Sequence, residues 1–309
     1  MNKIEAKFRI VTPMFISGAD QTKAELRVPS IKGALRFWWR ALNYESDNIK
    51  LLDKESKIFG SYNPKIGQSK VKMRLKDVDI KTTKLSGKWG INDWRSYIGY
   101  GLSEDQSGKA KKGIYRTHID PGSLFTIMME SQMGFDTVLD AFKLFSLLGG
   151  LGSRSRKGWG SISIISSNNG WRLPKNRSEY ISQLSELTLT RDNIPDETPL
   201  YSAISTKADI CIGPSFGNPM DAFKDIGERY KEYLTGIDPV QRAGFGLPRK
   251  GVGTNRRGSP FLIHVNQCGP ESFWVCTFLR SQFDKENAEP PSGYGPVEDF
   301  MNSIGGELI

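Results

Sequence analysis

The hydrophobic period of this chain changes repeatedly along its length, and the order of those changes restricts its fold more than any other feature. Lys3 to Val11 alternates charged and apolar residues, the period-two pattern of a half-buried strand. Ile31, Leu35, Trp38 and Leu42 then recur at helical spacing, which predicts a helix from Ile31 to about Tyr44 with Ser30 as N-cap. Val71 to Ile80 alternates again, and Leu124 to Met129 is a mostly apolar strand. Phe135 to Leu148 returns to helical spacing, and Ile162 to Ile165 is a further strand. Strand, helix, strand, strand, helix, strand is the order of a ferredoxin-like unit.

The second half reads as a reduced repeat of the first. It has a strand at Ala203–Ile212, a helix at Pro219–Leu234 capped by Asn218, a basic glycine-bearing segment, and strands at Phe261–Val265 and Phe273–Leu279. A length of 309 residues suits two domains. The expected organisation is therefore α+β, with two ferredoxin-like domains in tandem over residues 1–170 and 171–309. Loop insertions are expected, chiefly around residues 85–115, and Ser178–Pro199 reads as the linker, with room for a short helix.

Several classes are excluded or disfavoured. No run of 18 apolar residues exists to span a membrane. The N-terminus alternates polar and apolar residues and lacks the apolar stretch of a signal peptide. Cys211, Cys268 and Cys276 are too few and too scattered for a disulfide framework or a zinc site. The expectation is a cytoplasmic chain without cofactor or metal. Gly152-Ser-Arg-Ser-Arg-Lys-Gly158 is not followed by Lys-Ser/Thr, so it is no P-loop, and Gly150-x-Gly152 does not continue into a dinucleotide fingerprint.

What remains is charge. The net charge is +9, and the cations cluster. Gly149 to Ser161 places Arg154, Arg156 and Lys157 among five glycines, beside Trp159, with no acid. Backbone N–H groups and cations there suit phosphates, and the Trp ring suits a base. Gly150, Gly152, Ser153 and Ser155 complete the candidate segment. The same residues also suit a long turn with solvated charges and a core Trp. A second basic block, Gln241 to Pro270, carries Arg242, Arg249, Lys250, Arg256 and Arg257 and no acid. On the first helix, Lys32, Arg36 and Arg40 form one stripe, since each step of four rotates only about 40°. Either acids elsewhere in the fold or a polyanion must offset their mutual repulsion.

Catalytic constellations are thin. His264 lies in an expected strand and reads as structural. His118, beside Arg116 and Tyr115, is a candidate for acid–base chemistry in a metal-independent ribonuclease, with Asp20, in a loop, a weaker acid–base candidate. Asp77 and Asp79 share a strand face and read as solvated.

The strings Phe8–Asp20, Glu25–Arg40 (with Pro29-Ser-Ile-Lys-Gly-Ala-Leu-Arg-Phe-Trp-Trp-Arg40) and Leu148–Gly160 resemble the RAMP superfamily of CRISPR-associated proteins. Within it, they resemble the first subunits of the type III-B Cmr effector complex. Gly246-Leu-Pro-Arg249 and Arg256-Arg-Gly-Ser-Pro260 fit the same family. The resemblance implies RRM-related domains and a non-catalytic, RNA-binding subunit near the 3′ end of the guide RNA, in contact with other Cmr subunits and helping capture target RNA in antiviral defence. Lys32, Arg36, Arg40, the 150–159 loop, Arg249, Arg256 and Arg257 would then carry the RNA. A RAMP-type endoribonuclease using His118 and a purely scaffolding subunit are the competing readings.

Overall fold

In the computed structural model, residues 2–309 are described except 21, 86, 88, 104–115, 190–193, 248–256 and 285. The N-terminal alternation becomes β1 (Lys3–Ile10), with Ile4, Ala6, Phe8 and Ile10 buried and the charged residues between them on the outer face. α1 (Val28–Leu42) begins ahead of the expected cap at Ser30. Pro29 occupies its first turn, where the fixed φ and missing N–H cost nothing, and Arg27 takes the N-cap position.

The stretch that reads as irregular contains α2 (Asn48–Phe59), capped by Asp47, whose carboxylate accepts from the Ile49 N–H. Its period is hidden because Ile49 and Leu52 face outward while Glu55 faces in, 4% exposed. β2 (Val71–Asp79) follows as expected, then β3 (Thr82–Lys84), α3 (Trp94–Ile98) and β4 (Thr117–Ile119), which pairs with β3. β5 (Leu124–Ser131), α4 (Phe135–Leu148) and β6 (Ile162–Ser167) complete the first half. The sheet order is β2-β5-β1-β6, antiparallel throughout.

Residues read as a linker form α5 (Arg177–Thr188), which is core rather than spacer. Tyr180 and Leu184 are fully buried; the Tyr180 hydroxyl donates to the Leu147 carbonyl at 2.6 Å, and its ring meets Phe273 at 4.9 Å. Next come β7 (Ala208–Ile212), α6 (Pro219–Gly236) with its Asn218 cap, a 3₁₀ turn at Gln241–Phe245, β8 (Phe261–Cys268) and β9 (Glu271–Leu279). The second half is not reduced. α7 (Gly295–Ser303) and β10 (Glu307–Leu308) complete it, and its sheet order β10-β7-β9-β8 repeats the order of the first sheet. Both elements escape sequence reading because α7 opens on Gly295-Pro296, a turn signal, and β10 has only two residues, both exposed.

The second sheet is covered on both faces. Leu262, Cys268, Phe273, Val275 and Leu279 enter the core that also holds the buried faces of β1, α1 and α4. Phe261, Ile263, Val265, Trp274, Cys276 and Phe278 enter the core under α6 and α7. The layers therefore run sheet, helices, sheet, helices, and β8 and β9 lack a polar alternation for that reason, being buried along nearly their whole length. The two halves join along the outer edge of β8. The N–H groups of Ile263, Val265 and Gln267 donate to the Arg156 carbonyl at 3.0 Å, Ser161 Oγ at 3.1 Å and Ser163 Oγ at 2.8 Å. An edge that would otherwise present a row of bare donors is thereby occupied.

His264 sits on this strand, fully buried, with no well-formed hydrogen bond to either ring nitrogen and only the Gly149 backbone close by. Burial pushes its pKa from 6.5 down to about 3. The unfolded chain therefore takes up this proton first, and stability is lost as pH falls from about 6.5 towards 3. Denaturant unfolding at pH 6 and pH 5 should show the parent losing about 1 kcal/mol more than His264→Gln over that step.

Candidate nucleic-acid interface

The glycine-rich segment 149–161 leaves α4 and feeds β6, and its glycines are required by close approach. Gly152 has φ +87°, and a Cβ there would lie 2.5 Å from the Phe15 carbonyl oxygen. At Gly160, with φ +65°, a Cβ would lie 2.0 Å from the Leu151 carbonyl oxygen. Four of the segment's own N–H groups beyond Gly149 are taken up by backbone carbonyls inside the protein. Leu151 donates to the Gly160 carbonyl, Ser153 to Phe15, Lys157 to Arg154 and Gly160 to Pro13, all at 2.7–3.0 Å. Gly150 bridges to Ser161. The expected phosphate cradle of backbone donors is thus corrected at these positions, and what the segment presents outward is side chains.

Trp159 is corrected in the same way. It is 2% exposed, stacked at 5.2 Å on Trp89 and 6.5 Å from Trp94, with Phe223 and Phe15 edge-on at 5.1 and 5.5 Å. It anchors the loop and has no face left for a base. Trp89 and Trp94 come from the expected insertion, which roofs this aromatic pile and packs α3 against α6. Two tryptophans in a polar, glycine-rich stretch are the signal that the insertion has a packing role.

The cations gather around a cleft of about 1080 Å³ between α3, α6, the 154–157 loop and residues 257–259. Arg154 Nε donates to the Tyr100 carbonyl at 2.8 Å, with its guanidinium 6.0 Å from the Tyr100 ring. Arg156 Nη1 donates to the Ser259 carbonyl at 2.6 Å, and its guanidinium lies 4.8 Å from the Phe37 ring. Lys157 Nζ donates to the Tyr230 hydroxyl at 2.6 Å. Arg257 Nη2 donates to the Tyr294 hydroxyl at 2.6 Å and to Ser281 Oγ at 3.0 Å. Lys231 and Tyr97 also line the cleft, and among the described residues no carboxylate lines it. Burial pushes the Arg156 and Arg257 pKa values down, and the Arg257 and Arg40 charges lower that of Arg156 further.

Sequence reasoning missed Lys231, Tyr97, Tyr100 and Arg116, whose Nη2 donates to Ser153 Oγ at 2.9 Å close to Arg154. Ser155 lines the cleft as expected. Arg249 and Arg256 lie outside the described residues.

The α1 stripe does not line the cleft. Arg36 Nε and Arg40 Nη1 reach the same Glu55 oxygen at 2.7 and 2.5 Å. Lys32 Nζ donates to Ser69 Oγ at 2.6 Å and the Val71 carbonyl at 2.7 Å, and burial lowers its pKa. An acid elsewhere in the fold, on α2, therefore offsets the repulsion between the two arginines. α2 also buries Trp39 against Phe59, so both Trp38 and Trp39 are core, whereas helical geometry alone demands only one.

His118 lies on β4, its Nδ1 3.2 Å from Asp120 and its ring 5.1 Å from Phe15. Burial lowers its pKa against the raising effect of Asp120, and it is not among the cleft residues. Among the described residues, no group of three or more His, Cys, Asp or Glu is placed to hold a metal, and no helix is long and apolar enough to cross a membrane.

The RAMP superfamily model matches residues 7–163, from β1 through the glycine-rich segment into β6. CRISPR system Cmr subunit Cmr1-1 of Pyrococcus furiosus is 29% identical over 294 residues, covering 85% of this chain and 82% of the relative. The crystal structure of apo Cmr1 from the same organism superposes with a TM-score of 0.67 at 23% identity, covering 100% of this chain and 98% of that one. A chain in the cryo-EM structure of type III-B Cmr-beta bound to cognate target RNA gives 0.62 at 13% identity, with 98% of both chains covered. At these identities the superpositions speak for the fold.

Two substitutions probe the framework of the site. Glu55→Gln leaves Arg36 and Arg40 without their shared carboxylate and should cost about 2 kcal/mol in denaturant unfolding, since the arginines remain a third exposed. Trp159→Ala empties the centre of an aromatic pile and should cost about 3–5 kcal/mol.

Proposed function

Because the chain belongs to the RAMP superfamily, and within it to the Cmr1 subunits, we propose that it is a non-catalytic RNA-binding subunit of a type III-B Cmr effector complex. It sits near the 3′ end of the guide RNA, among the other Cmr subunits in the cytoplasm, and helps capture target RNA for antiviral defence. The observation that carries this reading is the cleft in which Arg154, Arg156, Lys157, Lys231 and Arg257 meet tyrosines, with no lining carboxylate among the described residues. The two halves are read as tandem ferredoxin-like domains, residues 1–170 and 171–309, and the repeated strand order supports that reading.

The chemistry of the cleft suits a sugar-phosphate chain. Guanidinium and ammonium groups take phosphate oxygens, and the Tyr97 and Tyr100 rings offer faces and hydroxyls to sugars and unstacked bases. A guide varies in sequence, so recognition rests on phosphate and 2′-OH. A non-catalytic role is favoured by the seat of His118, half-buried against Phe15 and paired with Asp120 rather than directed into the cleft. In the competing ribonuclease reading, His118→Ala abolishes RNA cleavage in the presence of a chelator.

Binding of single-stranded RNA should fall steeply with salt. The Arg154→Ala/Lys231→Ala protein should show a log–log slope shallower by about 0.7 for each phosphate it no longer neutralises. The measurement is fluorescence anisotropy over a salt series, with the RNA checked for integrity on a gel. An unchanged slope in a variant that no longer enters the Cmr complex points to a scaffold instead.

A further inference from the structure

Within the cleft, two guanidiniums stand apart from the rest. Arg156 and Arg257 come from different halves of the chain, and neither has a carboxylate within ion-pair distance among the described residues. Arg257 uses Nη2 for Ser281, Gln282 and Tyr294, while its Nη1 is buried without a partner. Its neighbour Gly258 brings bare backbone to Arg156, so that a Cβ there would lie 3.0 Å from Arg156 Nη1. Phe37 covers the Arg156 guanidinium from the α1 side and leaves its edges as donors. Arg40 adds a third positive charge in range of Arg156.

Two desolvated like charges held side by side are costly, and a fold normally places an acid between them, as Glu55 does for Arg36 and Arg40. The Asp284 carboxylate acts on Arg257 only from beyond ion-pair distance, and Arg257 Nη1 keeps an unused donor, so among the described residues no acid sits between the two guanidiniums. We propose that Arg156 and Arg257 form a seat for a single tetrahedral oxyanion, filled in the working protein by one backbone phosphate of the bound RNA. The donors are forks suited to two oxygens of one phosphorus. Because the seat draws one arginine from each half, an anion in it ties the halves together and stabilises the fold. The assignment of the anion to RNA rests on the function proposed above, whereas the seat itself does not.

The test uses the full chain and inorganic phosphate. Thermal unfolding in phosphate, against chloride at equal ionic strength, should show a Tm higher by about 2 °C once phosphate is tenfold above its Kd. Arg156→Gln should lose that response. Arg257→Gln should lose it too, with circular dichroism checking that each variant folds. Phosphate should also displace single-stranded RNA from the parent beyond the effect of chloride, and not from Arg156→Gln. A parent indifferent to phosphate, or a response surviving in Arg156→Gln, overturns the seat and leaves the RNA reading to its own salt-slope test. Phosphate that stabilises the parent through Arg156 without competing with RNA overturns the assignment to RNA and identifies a site for free phosphate.

Discussion

The hydrogen bonds along the outer edge of β8 hold the molecule in its present form. Ile263, Val265 and Gln267 donate there to a carbonyl and two serine hydroxyls supplied by the glycine-rich segment and β6. With that edge engaged, the inner face of the second sheet rests on the helices of the first, and one core serves both. The same seam fixes residues 154–157 opposite residues 257–259, so the two basic stretches meet across a cleft. The glycines of the segment serve this seam. They let the chain pass under Phe15 and over Leu151 at distances no side chain permits.

How cations are compensated separates the α1 stripe from the cations of the cleft. Lys32, Arg36 and Arg40 look like a ligand-facing stripe on a helical wheel, yet Glu55, Ser69 and Val71 take them up. Arg154, Arg156 and Arg257 are held by backbone carbonyls, hydroxyls and ring faces. Carbonyls orient a guanidinium without neutralising it, so these side chains keep their field.

The first half was legible because its strands are half-buried and its helices amphipathic, so the period of hydropathy reports the element. β1, β2, β5 and α4 fall close to where their patterns place them. α2 was not legible, because its buried face carries Glu55 and its exposed face Ile49 and Leu52. α5 looked like a linker since its inner face is little more than Tyr180, Leu184 and Thr188. Of the site, Arg154, Ser155, Arg156, Lys157 and Arg257 were visible as basic residues among glycines, and they share one cleft. Lys231, Tyr97 and Tyr100 were not, because Lys231 is one of several mixed charges on α6, the tyrosines lie in a segment with no basic cluster, and all three meet at the cleft only through the docking of α3 on α6. Trp159 was visible as an aromatic among cations, but sequence could not say that Trp89 and Trp94 would cover it.

The occupied β8 edge has a consequence for assembly. A sheet grows only through a strand whose outer hydrogen-bonding groups are open, and the ends of the two four-stranded sheets are β2 and β6, β8 and β10. β6 and β8 face each other, and β10 is two residues long. That leaves β2, nine residues with Lys72, Arg74 and Lys76 spaced along it, charges of the kind that discourage a second backbone from pairing. At the four-stranded sheets, contact with any other chain is thus steered towards side chains on helices and loops, and uncontrolled strand addition is discouraged.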